Sequence, residues 1–172
     1  MKYQATIFIL LALLGLAHTY DKQYCLNEGL SNNDCNWYVN CLEDQFHCGP
    51  KGYPEGYGFK YCSRFVEKYD KFSPAGQKWI DGTLTCLKQS LKDSLVNTDN
   101  KTCKDVNKIA FDSHPRCYVE NGFCELFTKQ DIQEIYQTLL SLLQVYQMKD
   151  FLSIQSIKQV TIVTFDCLQK KI

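Results

Sequence analysis

The sequence predicts an all-α fold, a compact helical domain stapled by five intrachain disulfides. Three observations predict it. All ten cysteines lie after an apolar leader, and an even count in an oxidising compartment reads as five bridges. Apolar residues recur at helical spacing through most of the remaining chain. The one β-branched run, Val160 to Thr164, has no second strand to pair with and is therefore read as helix.

Residues 1–19 read as a secretory signal. Lys2 supplies the positive end, Ile7 to Leu14 the apolar run, and Gly15-Leu16-Ala17 the small residues before cleavage. That run is too short to span a bilayer comfortably, and no later segment is long and apolar enough. The remaining 20–172 are long enough for one helical domain with its own core. Nineteen basic residues balance 19 acidic ones with no long run of either sign, so neither a nucleic acid nor a membrane surface is an expected partner.

Within 20–48, Asp34 is placed to cap a short helix in which Trp37, Tyr38 and Cys41 share a face. Residues 49–58 hold four glycines and two prolines and predict an irregular loop. Its Tyr53 and Tyr57 are candidates for a contact surface; packing on the loop's own base is the plainer alternative. Phe59 to Tyr69 is helical by period. Ser73 and Pro74 start the clearest amphipathic helix, which runs to about Val96. Gly82 within it gives room for close approach to the helix that carries Cys62.

Asn97 to Thr102 is a polar turn with one glycosylation sequon, Asn100-Lys101-Thr102. Cys103 to Phe111 is helical, His114-Pro115 predicts a break, and Arg116 to Phe127 predicts a helix with Cys117 and Cys124 on one side. Thr128 opens the next helix. Its Ile132, Ile135, Tyr136, Leu139, Leu140, Leu143 and Tyr146 are expected to form a buried stripe. Asp150 caps a last helix from Phe151 to Leu168.

Chemistry is sparse. A hydrolase needs a nucleophile, a base and an orienting acid, and after the leader the histidines are His47 and His114, both read as surface or turn residues. No Cys-x2-Cys pair supports a zinc site, and Glu43-Asp44 and Asp105 lack calcium-loop spacing. Gly52, Gly56 and Gly58 superficially resemble the calcium loop of secreted phospholipases, but the His-Asp pair that family needs is absent. The cysteine clustering from 25 to 62 does not suit a saposin-like lipid binder. The expectation is a protein that is not an enzyme and has no cofactor.

The cysteine ladder is the most specific feature. Its order, Cys25-x9-Cys35-x5-Cys41-x6-Cys48-x13-Cys62-x23-Cys86-x16-Cys103-x13-Cys117-x6-Cys124-x42-Cys167, resembles the stanniocalcins, a family of secreted glycoprotein hormones. Tyr61-Cys62-x2-Phe65, Lys71-Phe72-x3-Gly76 and Leu84-x-Cys86-Leu87 also look like the family's. Ten cysteines alone allow about 945 connectivities. The resemblance implies Cys25–Cys41, Cys35–Cys62, Cys48–Cys103, Cys86–Cys117 and Cys124–Cys167. It also implies a secreted, extracellular factor acting in calcium and phosphate balance by binding a receptor or another extracellular protein. Two departures stand out. The family's eleventh cysteine, which links two chains covalently, has no counterpart in the five residues after Cys167, which leaves a non-covalent homodimer open. The family's sequon lies between its fourth and fifth cysteines, whereas Asn100 lies between Cys86 and Cys103. The alternative reading, from another class, is a secreted helical lipid binder or phospholipase-like protein.

Overall fold

Apolar stripes and caps set the helix boundaries, and the disulfides then fix how the helices meet. The computed structural model describes residues 22–31, 33–147, 150 and 153–169. The predicted leader lies outside them. In chain order the helices are α1 (Lys22–Leu26), α2 (Asp44–Phe46), α3 (Lys60–Glu67), α4 (Pro74–Val96), α5 (Cys103–Glu120), α6 (Glu125–Thr128), α7 (Ile132–Val145) and α8 (Ile154–Gln169). Wide, π-helical turns over Tyr38–Glu43 and Pro54–Phe59 lead into α2 and α3. The described residues contain no strand, so the all-α class holds.

The long helix α4 starts as its sequence dictates. Ser73 Oγ accepts from the Gly76 N–H at 3.2 Å, and Pro74 occupies the first turn, where its missing N–H removes no bond. Helix α5 starts at a capping box in which Thr102 and Asp105 satisfy each other's N–H groups. Helices α4 and α5 pack along each other, and α8 lies on α5. The core joins Trp37, Tyr38, Cys41 and Leu42 of the N-terminal segment to Trp79, Ile80 and Leu91 of α4 and Val106 and Ala110 of α5.

Five disulfides link these elements: Cys25–Cys41, Cys35–Cys62, Cys48–Cys103, Cys86–Cys117 and Cys124–Cys167. They are the pairs that the family resemblance implies. Cα separations of 5.3 to 5.6 Å lie within the range a bridge accepts without backbone movement.

Several local expectations are corrected. His114-Pro115 does not break the chain, because α5 runs through it. Pro115 leaves the Phe111 carbonyl without its helical N–H, and Gln159 Nε2 of α8 reaches that oxygen at 3.5 Å. A carbonyl freed by proline thus becomes a contact between two helices. The stretch 49–58 is not irregular throughout, since Pro54–Phe59 is helical. Its Gly58 serves packing: a Cβ there would stand 2.5 Å from the Tyr38 ring. Gly82 faces Asn121 at the end of α5, not the Cys62 helix.

Asp34 caps nothing and instead accepts from the Tyr24 hydroxyl. Asp131, not Thr128, is the N-cap of α7, accepting from the Glu134 N–H at 2.9 Å. For α8 the corresponding acceptor is Ser153 Oγ, toward the Ser156 N–H, in place of Asp150. Arg116 to Phe127 is not one helix, because Gly122, at φ +101°, separates α5 from α6.

The largest correction concerns α7. Most of its predicted apolar stripe is not buried: Ile132 is 86% exposed, Tyr136 62% and Leu143 68%, with Leu139 and Leu140 exposed beside them, while Ile135 is half-buried and Tyr146, just past the helix, packs on the core as expected. The buried side carries Thr138, Ser141 and Val145. Ser141 Oγ and Gln137 Nε2 both donate to the Lys71 carbonyl, at 2.8 and 2.9 Å, and Arg64 Nη1 donates to the Val145 carbonyl at 2.6 Å. These polar anchors seat α7 with its apolar side outward.

Candidate functional site

Three features of the surface and core bear on function: the Asn100 turn, a closed aromatic centre, and the outward face of α7. Asn100 lies exposed between α4 and α5 with φ +63°, a conformation that asparagine tolerates better than most residues. The sequon's Thr102 is also the α5 N-cap, and its hydroxyl donates to Asp105 Oδ2 at 2.6 Å. The sequon and the helix start therefore share one side chain.

Tyr53 and Tyr57 are not a contact surface. Tyr53 is 4% exposed and Tyr57 is half-buried, stacked on Tyr53 at 5.8 Å between ring centres. Both pack on Phe111 and His114. Burying an aromatic ring is worth more than presenting it to solvent, and the Pro54–Phe59 turn directs both rings inward.

His114 is likewise not a surface residue; it is 1% exposed. Its Nε2 lies 3.1 Å from the Tyr53 hydroxyl and its Nδ1 3.2 Å from Gln159 Oε1. The amide oxygen can only accept, so Nδ1 carries the proton and Nε2 accepts from Tyr53. Burial pushes the His114 pKa down from 6.5 to about 4, against a smaller upward effect of the Gln159 bond. A neutral imidazole held on both sides positions three chain segments; among the described residues its side-chain partners are Tyr53, Gln159 and Tyr118. His47, by contrast, is exposed.

Next to this centre a cavity of about 140 Å³ is lined by Trp79, Tyr118, Phe123, Leu142, Tyr146 and Val163, among others. That is near the volume that admits one benzene-sized molecule. Among the described residues no three His, Cys, Asp or Glu side chains are grouped to hold a metal ion. No described helix is long and apolar enough to cross a membrane.

The model of the stanniocalcin family matches residues 12–167. That match covers most of the chain. The chain belongs to the stanniocalcin family. No curated protein and no solved structure matches it. In this stanniocalcin-family chain the matched span contains all ten bridged cysteines, so the family signature and the disulfide framework coincide.

Two features of this stanniocalcin-family protein escaped sequence reasoning. The first is Lys88, fully buried on α4, whose ammonium donates to the carbonyls of Gly29 and Asp34 at 3.3 and 3.0 Å and to that of Ser31. Its helical register, one residue after Leu87, was the available signal, but lysine is rarely buried. The second is the outward α7 stripe. The periodicity was legible; its direction was not.

Proposed function

We propose that this chain is a secreted stanniocalcin-like signalling factor, a hormone that acts in calcium and phosphate balance by binding a receptor or another extracellular protein. The observation that carries the reading is the five-bridge framework within the family match. Five bridges suit an extracellular chain, because the cytosol keeps thiols reduced. Rigid helices whose positions are fixed covalently present a surface of constant shape, which is what recognition without turnover requires. An N-terminal leader at 1–19 and a glycan on Asn100 belong to the same reading.

The test applies the mature, unreduced protein to an epithelial monolayer and follows radiolabelled calcium and phosphate uptake. The expected result is a dose response that saturates in the nanomolar range and is abolished by prior reduction of the disulfides. Failure to saturate, together with hydrolysis of phospholipid vesicles that calcium chelation stops, would overturn the proposal in favour of a lipid-active protein.

A further inference from the structure

We infer that the cavity of about 140 Å³ walled by α4, α5 and α8 is a binding site for a small neutral ligand, a single aromatic ring that carries a hydroxyl. This goes beyond the hormone reading and does not depend on it.

The lining decides the class of ligand. Trp79, Tyr118 and Phe123 line the cavity together, with ring centres 5.4 to 6.1 Å apart. Leu142 of α7 and Val160 and Val163 of α8 add aliphatic surface. A further ring can meet such a lining edge to face or offset, the geometries that aromatic pairs favour. No Lys, Arg, Asp or Glu is among the lining residues, so a charged ligand would lose its hydration and gain no partner. The volume is close to that of a cavity that takes up benzene, which limits the ligand to one ring with a small substituent.

An unfilled hydrogen-bond donor is the second argument. Trp79 is 2% exposed, and among the described residues its indole N–H has no acceptor. Buried polar groups are nearly always paired, and an indole N–H can only donate. A hydroxyl oxygen on the ligand supplies the acceptor. The ligand's own O–H then needs a lone pair. The hydroxyls of Tyr118 and Tyr146, two more lining residues, stand 3.4 Å apart, too long for a strong bond between them, so their oxygens keep accepting capacity. A ring with an oxygen therefore suits the site better than a bare hydrocarbon.

The site is also open and held in shape. Val160 and Thr164 are exposed residues on its lining, which gives a route from solvent. Cys86–Cys117 ties α4 to α5, and Cys124–Cys167 ties the segment after Phe123 to α8. Walls joined covalently resist collapse onto the space between them, and a preformed pocket binds without first ordering its walls.

The test is isothermal titration calorimetry of the mature, disulfide-intact protein with phenol, toluene and benzoate, beside the variants Val163→Phe, Val160→Trp and Trp79→Phe. The expected result is one phenol per chain with Kd under about 1 mM, at least about fivefold tighter than toluene, and no binding of benzoate. Val163→Phe fills the cavity and is expected to weaken phenol binding at least about tenfold. Val160 is half exposed, so Val160→Trp narrows the cavity from its rim without loading the core, and it carries the comparison if Val163→Phe does not fold. Trp79→Phe keeps an aromatic wall without the N–H and is expected to bring phenol down to the level of toluene. Phenol binding that never saturates, or that survives both filling variants, would overturn the proposal. So would a parent that takes toluene or benzoate as tightly as phenol, or a phenol preference unchanged in Trp79→Phe.

Discussion

Tyr53 and His114 stand 61 residues apart in sequence and meet at 3.1 Å in the core, hydroxyl to imidazole Nε2. The contact ties the Pro54–Phe59 turn to α5, and Gln159 on the other imidazole nitrogen ties both to α8. Three elements distant in sequence thus converge on one neutral ring.

That ring makes stability depend on pH. The folded pKa of about 4 lies below the ordinary 6.5, so between these values the unfolded chain binds the proton and the folded one does not. The contribution is fully present above pH 6.5 and is lost as pH falls toward 4, up to about 3 kcal/mol. Urea midpoints at pH 7 and pH 4.5 check this. The parent is expected to lose more stability across that interval than His114→Gln, and equal losses would refute the assignment.

Lys88 closes the N-terminal segment onto α4 by donating to three carbonyls. Replacing it with methionine keeps most of the volume and leaves those oxygens without their donor. The expected cost is about 3 kcal/mol, seen as a lower denaturation midpoint. Faster proteolysis between Gly29 and Asp34 should accompany it. Unchanged stability would mean that the carbonyls find other partners.

Cys124–Cys167 anchors α8, which also rests on α5 through a small apolar cluster around Val119 and Val163 and through the Gln159 bonds to Phe111 and His114. The bridge closes a span of 43 residues. Replacing both cysteines by alanine is expected to cost about 4 kcal/mol on the chain-entropy account. Hydrogen exchange should accelerate mostly in α8, with α4 little changed. Uniform acceleration across all helices would show instead that α8 is part of one cooperative unit.

Asn100 supplies a direct check on secretion. Expressed through a secretory pathway, the parent is expected to gain gel mobility after N-glycosidase treatment, and Asn100→Gln is expected to run at that faster position untreated. Asn100→Gln leaves Thr102 and its cap intact, so the helix start is not disturbed. A parent unaffected by the glycosidase would show the sequon to be unused.

The helices could be read along the chain because their signals are local. Ser73-Pro74 marks a helix start wherever it occurs, and the stripe of α4 needs no knowledge of its neighbours. The proline at 115 misled for the complementary reason. Its usual effect is to break a helix, and the compensating donor, Gln159, lies 44 residues further along the chain. Tyr53 and His114 were misplaced in the same way, and Lys88 was overlooked, since each is buried by partners that no sequence window contains.

By itself, the sequence determined the helical class, the amphipathic period of α4 and α7, and the cysteine ladder that carries the family resemblance. These rest on residue spacing, which folding does not alter. Only the tertiary structure decided which way each stripe faces. Periodicity states that a helix has an apolar side, but the choice between its own core and a second surface depends on distant anchors. In α7 that choice rests with the carbonyls of Lys71 and Val145, held by Ser141, Gln137 and Arg64, and they turn the apolar side outward.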